Sequence, residues 1–187
     1  MPEDVQIPRP RLGKNVYIAP TAFVGGDVVL GEGTTVMHHV TIRGDVSAIR
    51  IGRRVNVQDA VVIHTKTGVP LEIADEVSIG HRAVVHCRRV GARALIGTGA
   101  IVLDDCEIGE QAIVAAGAVL PPGTIVPAGK LVLGVPGRIA RDVSDAERAY
   151  VRFVVESYRK LNKVHAAGGV PNWNERHQVS RPSRVES

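Results

Sequence analysis

VGARALIGTGAIVLDDCEIGEQAIVAAGAVLPPGTIV, residues 90–126, repeats every six positions. Val90, Ile96, Val102, Ile108, Val114, Leu120 and Val126 keep one phase, and Val132 continues it. Two residues before most of them stands a small side chain, as at Ala94, Ala100, Ala112 and Ala118. In a strand, positions i and i−2 share a face, so each hexad reads as a short strand with one buried side. Glycine often follows, at Gly91, Gly97 and Gly109, where a corner requires positive φ or close backbone approach. Three hexads close one turn of a triangular prism, and successive turns stack at roughly 4.8 Å. A helix is excluded, because a period of six draws no continuous stripe at 3.6 residues per turn. Each turn buries its apolar corner only against its neighbours, so stability is nearly one-dimensional and the ends need caps.

Toward the N-terminus the same clock runs with slips. Ile18, Val24, Leu30, Val36 and Ile42 keep step, and after a slip of three come Ile51, Val57 and Ile63. An insertion within HTKTGVPLE leads to Ile73, Ile79 and Val85, and one residue is dropped before Val90. Toward the C-terminus the repeat stops at GVPGRIAR (134–141). Ser144 and Glu147 then form a capping-box pattern. A helix is expected to about residue 165, with Val151, Val154, Val155, Tyr158 and Leu161 as its apolar stripe. The expected division is a prism over 1–141, a helix over 142–166 and a disordered tail over 167–187.

Bulk composition agrees. Across 187 residues, 44% are hydrophobic but only 3% aromatic, which suits narrow layers of β-branched and small side chains. The net charge of +4 lacks a dense basic run interleaved with aromatics, so no nucleic-acid partner is expected. Cys87 and Cys106 make neither a disulfide framework nor a CxxC knuckle and read as small buried residues. MPEDVQIPRP has no signal pattern and no run approaches the roughly 18 apolar residues of a span, so a cytoplasmic protein without a membrane partner is expected.

The slips place the histidines. Counting corners, Ile42, Ile63 and Val85 share one prism edge, so Arg43, His64 and His86 stack just after them, about 5 Å apart per turn. Two imidazoles so spaced can share one ion, since zinc–nitrogen bonds are about 2.0–2.1 Å. His81 follows Ile79 on the preceding edge, roughly 16 Å along the chain from His86, with Gln58 and Asp59 one turn below it. If one subunit's first edge meets the next subunit's second, the sets merge, and a ring of three closes. His38, His39, His165 and His177 have no such geometry and read as incidental.

The motifs IRGDV (42–46), NVQDAVVIH (56–64) and SIGHRAVVH (78–86) resemble those of the γ-class carbonic anhydrases, and the repeat over about 12–138 resembles their fold. The resemblance implies an all-β, left-handed parallel β-helix, a triangular prism of hexapeptide repeats, with a C-terminal α-helix packed alongside. It implies a homotrimer with Zn2+ (Fe2+ or Co2+ also suit) held by His64, His81 and His86, His81 coming from the neighbour. It matches Arg43 and Asp59 to an intersubunit ion pair, and Asp45 to a carboxylate on that arginine. Gln58 matches a glutamine that hydrogen-bonds the metal-bound water, and Asn56 and Tyr158 match polar neighbours of the site. The implied reaction is hydration of CO2 to bicarbonate, since three neutral imidazoles leave the metal able to lower the pKa of water toward about 7. Val46 and Thr67 stand where the archetypal member carries glutamates linked to proton shuttling, which implies slower turnover. Hexapeptide acyltransferases share the prism, and metal-dependent acyl-CoA thioester hydrolysis or a non-catalytic metal staple would fit the same residues.

Overall fold

The computed structural model describes residues 7–170. Nineteen strands, most of them two residues long, precede one helix, α1, at Asp145–Ala166. The strands stack into a left-handed β-helix of about seven turns. The register follows the hexad count, with Ile42 beside Ile63, Ile63 beside Val85 and Val85 beside Val102. The inward column is a continuous core of fully buried side chains, Leu30, Ile42, Ile63, Ile79, Ile96, Ile108 and Leu120 among them.

Two kinds of glycine build the corners, and one coil shows both. A Cβ on Gly97 would lie 2.5 Å from the Ala116 nitrogen of the next coil, so this glycine permits stacking. Gly99 lies in open space at φ +67 and supplies the turn. Equivalent turns are made at similar φ by non-glycine residues such as Ala60, Arg82 and Arg93.

Three outward columns distinguish the prism faces. The first runs Tyr17, Thr35, Asn56, Ser78, Leu95, Ile113 and Leu131. The second runs Phe23, Thr41, Val62, Val84, Ile101 and Val119. The third runs Val29, Arg50, Glu72, Arg89, Glu107 and Ile125.

α1 covers the first face. Its capping box is formed, with the Ser144 hydroxyl accepting from Glu147 N–H and the Glu147 carboxylate accepting from Ser144 N–H. Val151 joins Ile113, Leu131 and Val143 in a small second core. The expected stripe needs one correction: Leu161 is 39% exposed, and Asn162, 7% exposed, takes the inward seat. The coils beneath that part of α1 are polar, and Asn162 Nδ2 donates to Thr35 Oγ1 at 3.0 Å and to the Asn15 carbonyl at 3.2 Å. A leucine there would leave those acceptors dry. Most of the tail expected over 167–187 falls at 171–187, outside the described residues. No helix among the described residues is long and apolar enough to cross a membrane.

Candidate metal centre

The edge between the second and third faces is where the long strand Thr41–Ile51 turns. Gly26 and Gly44 stack there so closely that a Cβ on Gly26 would lie 2.3 Å from the Gly44 carbonyl oxygen. That contact lets the chain bend between Arg43 and Asp45 and aims both side chains at one place. Arg43 Nη1 donates to Asp45 Oδ2 at 2.6 Å, and the other Asp45 oxygen lies 3.0 Å from His64 Nε2. Burial raises the Asp45 carboxyl, but the hydrogen bonds from His64 and then Arg43 outweigh it and hold it below the usual carboxylate range.

His64 and His86 stack above, as the corner count expects, with ring centroids 5.2 Å apart. His64 Nδ1 and His86 Nε2 face each other at 3.1 Å. The far nitrogen of each ring is tied to a carboxylate, His64 Nε2 to Asp45 and His86 Nδ1 to Asp104. A carboxylate only accepts, so each far nitrogen carries the proton, and with both rings neutral each facing nitrogen is a lone pair. Two lone pairs at that separation repel unless something positive lies between them. Two nitrogens on a tetrahedral zinc ion stand about 3.3 Å apart, given bonds of about 2.05 Å. The pair therefore fits a divalent cation, with carboxylates fixing the tautomers from behind.

The other edge, between the first and second faces, carries the second set. His81 Nδ1 lies 3.1 Å from Asp59 Oδ2. Gln58 is buried beside them and its Nε2 donates to Asn56 Oδ1 at 3.0 Å, which also accepts from Ser78 Oγ at 2.8 Å. Asn56 thus sits under α1 and positions Gln58, whose carbonyl oxygen is left to accept. Asn56 Nδ2 is buried without a hydrogen-bond partner among the described residues. Tyr158 on α1 is half-buried near this edge, and its hydroxyl is pushed up by burial, then by the charge of Asp59 and by Tyr150. The structure thus brings Arg43, Asp45, His64 and His86 together on one edge, and Asn56, Gln58, Asp59 and His81 on another. Among the described residues of one chain, no group of three His, Cys, Asp or Glu side chains is placed to hold an ion.

Asp104 is the residue the sequence reading missed. The signal was available, because Val102 pairs with Val85 and the next positions therefore lie over His86 and Cys87. Cys87 only packs: it is buried, and burial pushes its thiol up to about 12. A groove of about 820 Å3 lies elsewhere, between α1 and the lower coils along Arg54, Arg159 and Asn162.

Comparison with known proteins adds to this geometry. A family model described as dynactin subunit 5 matches residues 13–165. The carbonic anhydrase of Geobacillus kaustophilus is 41% identical over 158 residues, 84% of this chain and 87% of that protein. The chain belongs to the γ-class carbonic anhydrase family. Gamma carbonic anhydrase 2, mitochondrial, of Arabidopsis thaliana is 35% identical over 164 residues. The match takes in 84% of this γ-class chain and only 59% of the plant protein. A Bacillus cereus structure described as an acetyltransferase is 34% identical with a TM-score of 0.82, covering 84% of this chain and 92% of its own.

Proposed function

We propose that this chain hydrates CO2 to bicarbonate as a homotrimer, with a metal site at each subunit boundary. The converged, carboxylate-backed pair His64–His86 carries the reading. The second face supports the assembly. Its outward column is apolar except for Thr41, and Phe23 and Val62 are 56% and 41% exposed in the single chain. That face has the His81 edge on one border and the His64–His86 edge on the other. Packing three such faces around a threefold axis buries the column and brings each His81 to a neighbour's imidazole pair.

His64, His86 and the neighbouring subunit's His81 would hold the ion. Zinc suits three neutral imidazoles, and Fe2+ or Co2+ would also be accepted. The ion would supply a Lewis acid that makes water nucleophilic near neutral pH. The chain's residues do the rest. The Gln58 carbonyl oxygen, fixed by Asn56, accepts a hydrogen bond from the attacking water and aims its lone pair. Tyr158, kept protonated, donates toward the substrate. Asp45 and Asp104 hold the ring tautomers. Arg43, released from Asp45 in part, would reach the neighbour's Asp59 across the boundary.

Stopped-flow CO2 hydration by the metal-loaded protein tests this, beside acyl-CoA hydrolysis and acyl-transfer assays. His86→Ala should bring hydration to background, and Asp104→Ala should weaken metal binding about 10- to 100-fold. Metal-independent acyl transfer would overturn the reading in favour of the activity for which the Bacillus cereus neighbour is described. CoA-ester cleavage without hydration would make the site a thioesterase. Neither activity, with the trimer falling apart on chelation, would make it a structural staple.

A further inference from the structure

Hydration of CO2 releases one proton per turnover, and at the two positions where glutamates were expected this chain has Val46 and Thr67, which cannot carry it. The docking of α1 makes another route. His38 stands on the same edge as Asp59 and His81, since Val36 pairs with Val57 and Val57 with Ile79. It lies one turn below Asp59 and two below His81, roughly 10 Å from the latter along the stack. Its backbone carbonyl accepts from Ala60 N–H at 2.9 Å, which fixes the corner.

α1 carries His165 to this corner from 127 residues away in sequence. The rings of His38 and His165 lie 6.4 Å apart, centroid to centroid, with planes inclined at 62°. Tyr17 backs His165 at 5.3 Å. His38 Nδ1 is engaged by the Thr21 hydroxyl at 2.9 Å, and that oxygen also accepts from His39 N–H at 3.1 Å. Nε2 of His38 is therefore the nitrogen left for exchange. Both rings are part-exposed, and His38 stands on the edge that carries Asp59 and His81.

We propose that His38 and His165 are the proton relay of this site: the proton released by hydration passes along the edge to His38 Nε2, then to His165, then to bulk buffer. The inference rests on the hydration reading. Imidazole suits the role because it takes up and gives away a proton near neutral pH. No redox partner is needed, for one proton enters the relay and one leaves it per bicarbonate. The other titratable groups facing the pair are Tyr17 on the lowest coil, His39 on the same corner, Asp59 and His81 above, and Tyr158 on α1.

The test uses the zinc-loaded full chain and the variants His38→Gln and His165→Gln, which keep a polar side chain if the alanine forms disturb α1. In dilute non-imidazole buffer, kcat should fall about 10-fold or more while kcat/KM stays unchanged, and added imidazole should restore kcat. Histidine ring NMR is the second readout: replacing either ring should move the other's ring-proton resonances, since the two lie 6.4 Å apart. Wild-type hydration with unchanged kcat in both variants overturns the relay and leaves the hydration reading standing. Ring resonances that ignore each other's replacement overturn it as well. A wild-type protein that hydrates no CO2 overturns both.

Discussion

The second and third faces of the prism have similar backbones and the same kind of apolar inward residues, yet the middles of their outward columns differ. One reads Phe23, Thr41, Val62, Val84, Ile101, Val119. Between Val29 and Ile125 at its ends, the other alternates charge, Arg50, Glu72, Arg89, Glu107. In a parallel stack, residues in one column are neighbours about 4.8 Å apart, so alternating signs avoid like-charge repulsion and keep the column hydrated. That face is finished as it stands. An apolar column cannot be satisfied by water and calls for a cover. The first face shows what a cover looks like, because α1 supplies one from the same chain. The second face has none among the described residues and has one of the two histidine clusters on each border. The lesson is that in a solenoid the inward residues specify the coil, while one outward residue per strand specifies what each face meets.

The largest effect should come from exchanging these characters. Val62→Asp together with Val84→Asp should convert the proposed trimer to monomer and abolish metal binding at the proposed shared site. Glu72→Ala together with Arg89→Ala should leave both within error. Sedimentation and metal content of the two variants measure this, and a trimer surviving the aspartates would break the distinction between the faces.

Lifting the cover on the first face gives a middling effect. Asn162→Ala removes the donor to Thr35 and Asn15 and should cost about 1–3 kcal/mol in denaturant unfolding, with the prism intact. An unchanged midpoint would mean that α1 is held by Val151 and its apolar neighbours alone.

The smallest effect is on pH dependence of that cover. Glu147 is held down to about 2, first by the hydrogen bond from Arg141, then by Ser144 N–H and the Ser144 hydroxyl. The folded value lies below the ordinary glutamate value of about 4.3, so this anchorage is complete above that value and is lost as pH falls toward about 2. Helix content followed by circular dichroism should therefore fray between these limits, and Glu147→Gln should remove the pH-dependent part.

Much of this was legible because strand repeats make sequence position and spatial position nearly interchangeable. The slips before Ile51, Ile73 and Val90 sufficed to stack Arg43, His64 and His86 and to put His81 over Asp59. Asp104 falls over Cys87 by the same count, one position past His86, and was missed because the edge count stopped at His86. Asn162 was not legible, since helical spacing identifies an inward seat but not the polar coil beneath it. His38 and His165 were read as incidental because nothing in a periodic count links a corner to a helix that docks across it.

By itself the sequence determined the coil, its register, the edge each histidine occupies and the start of α1, all of which depend on residues within one or two turns. Only the tertiary structure decided which ring nitrogens face each other, that Asp104 backs His86, that no described residue covers the second face and that α1 brings His165 to His38. The physical reason is range. Periodicity encodes contacts that recur at a fixed separation along the chain, whereas tautomers, covers and helix docking depend on directions that only closed packing fixes.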